Sequence, residues 1–156
     1  MAVSGLPSAR GDGQPVTTMI DLETGTRITH MLAAAPDSRW LLATRGGFGF
    51  ATRLSDMTSR QRAGKQFVSL EAGDELLRPV PLFEGALQVA LLSAKGKFLV
   101  FGLDELKLQS NGGRGLTLME VDTQADPLIA IATVHQGVRV IGTTRGGKPK
   151  EEDVRN

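Results

Sequence analysis

The sequence contains no cysteine and no tyrosine, and only two of its 156 residues are histidine. The absence of cysteine excludes disulfides, thiolate nucleophiles and cysteine-bound metal sites. No apolar run approaches the ~20 residues that a membrane helix requires, and the first ten residues lack the charged start and apolar stretch of a signal peptide. We therefore expect a cytoplasmic protein, and the chain is long enough for one domain with a sizeable core.

The remaining side chains carry few catalytic motifs. His30 and His135 both lie in apolar sequence contexts, which favours structural roles. The Gly64-Lys65 pair is not a phosphate-binding loop, because Gln66 stands where that motif needs Ser or Thr. Adjacent acidic residues lie in polar stretches and read as solvated surface. The inventory favours a domain without catalysis, metal or cofactor of its own.

The charges are segregated along the chain although the formal net charge is only +1. Between residues 45 and 65 there are five basic residues and one acid, Asp56, whereas residues 69–77 contain three acids and no base. Such an arrangement predicts a modest basic face on a nearly neutral protein. An ordinary mixed surface is the alternative.

An internal repeat relates residues 40–70 to residues 89–119 without a gap, at an offset of 49 from Leu54 to Leu103. The match aligns Gly47 with Gly96 and the pair Gly64-Lys65 with Gly113-Arg114. Further copies stand at the ends, in "LPSARGDG" and in "TTRGGK" at 143–148. We therefore expect one array in which residues 1–27 are the tail of a repeat, 28–80 and 81–134 are full repeats, and 135–156 are incomplete.

Each repeat contains a predicted β-hairpin with a glycine-containing turn. "RWLLAT" and "FGFATR" flank residues 45–47, and "QVALLS" and "KFLVFG" flank residues 94–96. The nearly continuous apolar runs "VALL", "FLVF" and "LIAIATV" predict strands buried on both faces, with short buried helices as the competing interpretation. Helix is expected only in short pieces such as "LDELKL". About four strands in a period of about 50 residues predicts propeller blades.

The segments "LPSARGDGQP" and "RAGKQFVSL", with blades of this length, resemble the C-terminal domain of the A subunit of bacterial DNA topoisomerase IV. The related gyrase domain carries a Gly-rich basic box between blades, and "ARGDGQ", "RQRAGK" and "SNGGRG" look like weakened versions of it. The resemblance covers nearly the whole chain. It implies an all-β fold, a β-pinwheel of about three four-stranded blades in an open or truncated ring, with strands exchanged between neighbours.

The resemblance also implies a function. Domains of this family bind duplex DNA along a basic outer edge, bend it, present the transport segment and set the topology preference in decatenation and supercoil relaxation. Type II topoisomerases cleave DNA with a tyrosine, which this chain lacks, so the chemistry, ATP and Mg²⁺ belong to the parent enzyme. The implied partners are double-stranded DNA, the catalytic core and B subunit of topoisomerase IV, and a condensin-type chromosome-organising protein, at the nucleoid.

The candidate DNA-binding residues are the basic side chains at turn tips and in the boxes. They are Arg10, Arg45, Arg60, Arg62, Lys65, Lys95, Lys97, Lys107, Arg114, Arg145 and Lys148. Phosphate contacts from Lys and Arg along a curved surface suffice for wrapping without base reading, and neighbouring glycines let the backbone approach phosphates. Two alternatives stay open: glycines that serve only turn geometry beside solvated bases, and a propeller that binds protein partners without DNA.

Overall fold

The computed structural model describes Pro7 and residues 11–155, which form nine short strands and very little helix. The strands are β1 (Arg39–Ala43), β2 (Phe48–Arg53), β3 (Val80–Pro81), β4 (Gln88–Ser93), β5 (Phe98–Gly102), β6 (Leu116–Thr117), β7 (Leu128–Val134), β8 (Gly137–Thr143) and β9 (Pro149–Arg155). One-turn helical pieces cover Val16–Thr18, Leu54–Met57 and Leu103–Glu105. None of the described helices is long and apolar enough to cross a membrane. The predicted all-β class, with helix only in short pieces, is confirmed.

Three antiparallel sheets follow one another along the chain, in the strand orders β3-β1-β2-β6, β5-β4-β7 and β8-β9. The leading strands of the three hairpins begin at Arg39, Gln88 and Gly137, so each step is 49 residues (88 − 39 and 137 − 88). The predicted propeller-like array is confirmed, and the three sheets of the described residues do not close into a ring. Among the described residues, only the first sheet has four strands.

The fourth strand of the first sheet comes from the following repeat. β6 pairs with the start of β2, matching Leu116 with Gly49. Just upstream, the Ala51 N–H donates to the Lys107 carbonyl at 3.0 Å, and the Gln109 N–H donates to the Ala51 carbonyl at 2.8 Å. The tail of one repeat thereby covers the sheet edge of its predecessor. β5, the counterpart of β2, is an edge strand in its sheet.

The core lies between the first two sheets and is built from small and branched side chains. Its fully buried members include Leu41, Ala43, Val89, Leu91 and Leu128. The prediction that "FLVF" and "LIAIATV" are buried on both faces is wrong, because Phe98 is 37% exposed, Leu99 39% and Ile129 50%. The same prediction is confirmed for "VALL", because it lies in β4, the central strand of a three-stranded sheet whose edges are β5 and β7.

The three hairpin turns share one geometry. In each, a Thr or Ser carbonyl accepts a hydrogen bond from the N–H of a glycine three residues later, in the pairs Thr44–Gly47, Ser93–Gly96 and Thr144–Gly147. These glycines have φ of 83°, 89° and 77°, the left-handed conformation that ends a three-residue hairpin loop. The echo between residues 43–48 and 143–148 is therefore a repeated turn.

Carboxylates from a neighbouring loop hold two of these turns. Asp74 Oδ1 accepts the Gly46 N–H at 2.8 Å, and Asp126 Oδ1 accepts the Lys95 N–H at 2.7 Å. The Lys95 N–H, a nearby Ser93 hydroxyl and two lysine charges lower the pKa of Asp126 because they favour the carboxylate. Each of these two turns is thus held by a carboxyl group about 30 residues away in the sequence.

Alanine at two equivalent turn glycines separates backbone strain from steric collision. Gly96→Ala adds a Cβ with no neighbour within 4 Å at φ of 89°, so we expect a loss of about 1–2 kcal/mol from strain alone. At Gly47, φ is 83° and a Cβ would also meet the Met119 carbonyl, which adds about 1–3 kcal/mol. Urea unfolding measures both losses, and equal values would contradict the close approach at Gly47.

Asp126→Asn tests the charge that holds the second turn while keeping an acceptor oxygen. The folded pKa lies below the ordinary value of 3.8, so the carboxylate stabilises the fold above that pH and ceases to do so as the pH falls through the folded pKa. The stability gap between wild type and variant should be full at about pH 6 and shrink below about pH 4. Thermal melting across this range measures it, and a gap independent of pH would disprove the charge contribution.

Candidate nucleic-acid interface

The first two turn tips lie side by side on one rim of the array. The start of β7 joins them, because the Leu128 N–H donates to the Arg45 carbonyl at 2.9 Å and the Ala94 N–H donates to the Pro127 carbonyl at 2.9 Å. We call the surface formed by residues 44–48 and 93–97 the turn rim. It brings together three of the predicted residues, Arg45, Lys95 and Lys97, and both lysines are exposed.

The third turn presents basic residues in equivalent positions. Arg145 occupies the position of Arg45 in its loop, and Lys148 occupies that of Lys97, with its carbonyl accepting the Thr144 N–H at 2.8 Å. Both are exposed. The repeated loop therefore presents basic side chains in all three copies, although the basic position shifts from copy to copy.

The box at residues 110–115 brings Arg114 to the first tip. The Gly113 N–H donates to the Phe67 carbonyl at 2.8 Å, and a Cβ on Gly115 would collide with the Gly49 carbonyl. The Arg114 guanidinium lies 4.3 Å from the ring centroid of Phe48, a cation–π contact. Phe48 directly follows the turn glycine, so Arg114 adjoins the turn rim.

The corresponding box at residues 60–65 makes structural contacts of its own. The Lys65 ammonium donates to the Asp56 carbonyl and lies 5.2 Å from the ring centroid of Phe67. The Arg62 guanidinium donates to the Thr18 carbonyl at 3.0 Å and lies 3.7 Å from a carboxylate oxygen of Asp21. These contacts connect the box to the preceding short helix and to the N-terminal segment, while leaving both side chains exposed.

The other predicted residues are placed differently. Arg60 is exposed and makes no side-chain hydrogen bond or ion pair within the described part of the chain. Lys107 lines a cleft of about 280 Å³ between β5 and β6, beside the middle of β2 rather than at a turn tip. Arg10 lies outside the described residues.

Acidic residues lie against the first tip. In the sequence they form a stretch of their own, at residues 69–77, apart from the basic residues. Glu75 Oε2 is 3.5 Å from Arg45 Nη1 and its other oxygen is 4.0 Å from Arg27 Nη2. Glu71 Oε1 is 2.6 Å from Arg114 Nη1. No motif marks Arg27 in the sequence, although its side chain is 81% exposed and joins this network.

The basic side chains of the second tip, unlike those of the first, are not paired with carboxylates among the described residues. The Lys97 ammonium donates to the Glu120 carbonyl at 3.4 Å, and neither Lys95 nor Lys97 forms an ion pair with a carboxylate in the described part of the chain. Asp126 lies nearby, but one of its oxygens is engaged by the Lys95 backbone. In these same residues, no cluster of three or more His, Asp or Glu side chains could hold a metal ion. The arrangement suits electrostatic contact with an extended anion.

Comparison with known proteins agrees with the repeat and the fold. Residues 39–81 and 88–135 match the family model described as DNA gyrase C-terminal domain, beta-propeller. The A subunit of DNA topoisomerase 4 from Neisseria gonorrhoeae is 32% identical over 73% of this chain and 15% of that protein. The Escherichia coli protein of the same name is 33% identical over 69% of this chain and 14% of its own length.

A solved structure extends the comparison to nearly all of the chain. The C-terminal domain of E. coli ParC superposes with a TM-score of 0.85 at 26% identity, covering 96% of this chain and 61% of that one. The residues that match the family model contain strands β1 to β7, and so include both complete hairpin repeats. The chain belongs to the family of DNA gyrase C-terminal β-propeller domains.

Proposed function

We propose that this chain is a non-catalytic DNA-binding and DNA-bending domain from the A subunit of a topoisomerase IV. The observation that carries the proposal is the turn rim, where two adjacent loops of equal geometry present basic side chains, a half-buried Arg45 and the exposed Lys95 and Lys97. The domain binds duplex phosphates there, presents the transport segment and sets the topology preference of decatenation and supercoil relaxation.

Phosphate contacts explain why a domain with a net charge of +1 suffices for this role. Each phosphate neutralised by Lys or Arg releases condensed counterions, and this term supplies affinity without base readout. Smooth bending of a 20–30 bp site costs on the order of 1–6 kcal/mol. Several contacts spread over the three turns offset that amount, since each copy of the loop adds its own basic residues.

The chain spans about 15% of the length of the curated relatives, so the whole enzyme's activity is part of the proposal. DNA breakage, ATP and Mg²⁺ then belong to the rest of the enzyme, and the domain's partners are the catalytic core and the B subunit. A condensin-type partner and a nucleoid location stay predictions. If the domain does not bind DNA, it is a propeller for protein partners, and the two experiments below separate these functions.

The first experiment measures the salt dependence of binding to a random-sequence duplex by fluorescence anisotropy. Four phosphate contacts should weaken binding on the order of 10²-fold between about 50 and 200 mM salt, because each contact adds about 0.9 to the slope of log K against log salt. Absence of binding at the lowest salt would contradict the proposal and favour protein partners.

The second experiment reverses charge at the second tip with Lys95→Glu and Lys97→Glu together. We expect at least a tenfold loss of affinity and a fall of about 1.8 in the salt slope, since two phosphate contacts are removed. The matched control is Arg39→Glu with Arg53→Glu, which makes the same charge change where β1 and β2 pair at their far end, ~17 Å from the turn. Equal losses in the two double variants would show that the turn rim is not the binding surface.

A further inference from the structure

The first two turn tips share one backbone geometry, but their basic side chains differ in whether they form ion pairs with carboxylates. At the first tip, Arg114 Nη1 lies 2.6 Å from Glu71 Oε1 and Arg45 Nη1 lies 3.5 Å from Glu75 Oε2. At the second tip, the lysines form no ion pair with a carboxylate in the described residues. The charges of the first tip are therefore already partnered within the chain.

The backbone fixes the acidic segment in this position. The Asp74 N–H donates to the Glu71 carbonyl at 3.0 Å to close a turn, and Asp74 Oδ1 accepts the Gly46 N–H at 2.8 Å. The Arg45 N–H donates to the Glu75 carbonyl at 2.9 Å. Replacing a Glu carboxylate with an amide leaves all three bonds intact, so the charge can be changed without moving the segment.

The carboxylates of Glu71 and Glu75 provide the same kind of hydrogen-bond acceptor to the arginines as a DNA phosphate would. Carboxylate and phosphate oxygens accept the same guanidinium hydrogen bonds. The side chains of Arg114 and Glu71 are 53% and 59% exposed, and such solvated pairs contribute little to stability. A duplex phosphate that approaches Arg114 must displace the Glu71 carboxylate or lie beside its negative charge.

We propose that Glu71 and Glu75 compete with duplex phosphates for Arg114 and Arg45, which weakens the first tip and leaves the second tip as the stronger contact. The inference rests on the proposed function, because competition requires that the rim bind DNA. Removing these carboxylates then raises affinity, although neither residue contacts DNA favourably.

A double-mutant cycle on Glu71→Gln and Arg114→Gln tests the competition, with binding to a random duplex of about 30 bp read by fluorescence anisotropy. In the wild-type background, Arg114→Gln should change Kd less than twofold, because Arg114 is occupied. Glu71→Gln should tighten binding about three- to tenfold and raise the salt slope by about 1. In the Glu71→Gln background, Arg114→Gln should abolish that gain.

A control for general charge is Asp37→Asn with Glu84→Gln, compared with Glu71→Gln and Glu75→Gln together. Asp37 and Glu84 are exposed and lie in the loops before β1 and β4, at the ends of those strands away from the turns. The control should change Kd less than twofold, and all variants should melt within about 3 °C of wild type because exposed pairs add little stability.

Each outcome decides the inference. Equal effects of Arg114→Gln in both backgrounds, or an equal gain from the control, would overturn the competition while DNA binding itself stands. If no variant, wild type included, binds duplex at about 20 mM salt, the proposed function fails and the inference falls with it. Coupling between Glu71 and Arg114 in the cycle, with a silent control, supports the inference.

Discussion

The first sheet depends on one backbone interaction, the pairing of its edge strand β2 with the tail of the next repeat. Ala51 exchanges two hydrogen bonds with Lys107 and Gln109, and β6 continues along the same edge. An edge strand carries unpaired N–H and C=O groups, which are costly to bury and promote aggregation when left open. The first repeat therefore does not complete its own sheet, and the following repeat covers its edge.

This pairing imposes glycine where the crossing chain meets the preceding repeat. A Cβ on Gly112 would collide with the Phe67 carbonyl, and one on Gly115 with the Gly49 carbonyl, and both glycines also have positive φ. Arg114 lies between these close approaches and is carried to the turn rim by them. The location of its charge is thus a consequence of the strand exchange, which links the fold to the candidate site.

The hairpins and their order were predictable from the sequence because the signals are local. Glycine at the third position after Thr44 and Ser93 sets the turn, and the apolar runs on either side set the strands. Burial was less predictable. Phe98 and Ile129 were predicted to be core residues but are exposed. The burial of a strand depends on which other sheet covers it, and contacts between repeats determine that packing. For the same reason, the contacts between the acids of residues 71–75 and the basic residues of the first tip could not be predicted from the sequence, where the two groups lie apart.

The three copies of the turn share the backbone geometry that the fold requires, but they differ in the basic residues that would bind DNA. All three loops keep the hydrogen bond to a left-handed glycine, whereas their basic residues are Arg45 in the first, Lys95 and Lys97 in the second, and Arg145 and Lys148 in the third. Phosphate contacts tolerate such shifts, because a long flexible cation reaches a phosphate from several backbone positions. Among the described residues, only the first loop faces glutamates that pair with its Arg45 and with the adjoining Arg114. The affinity of each loop is therefore adjustable by charges on and around it, without altering the turn that positions them.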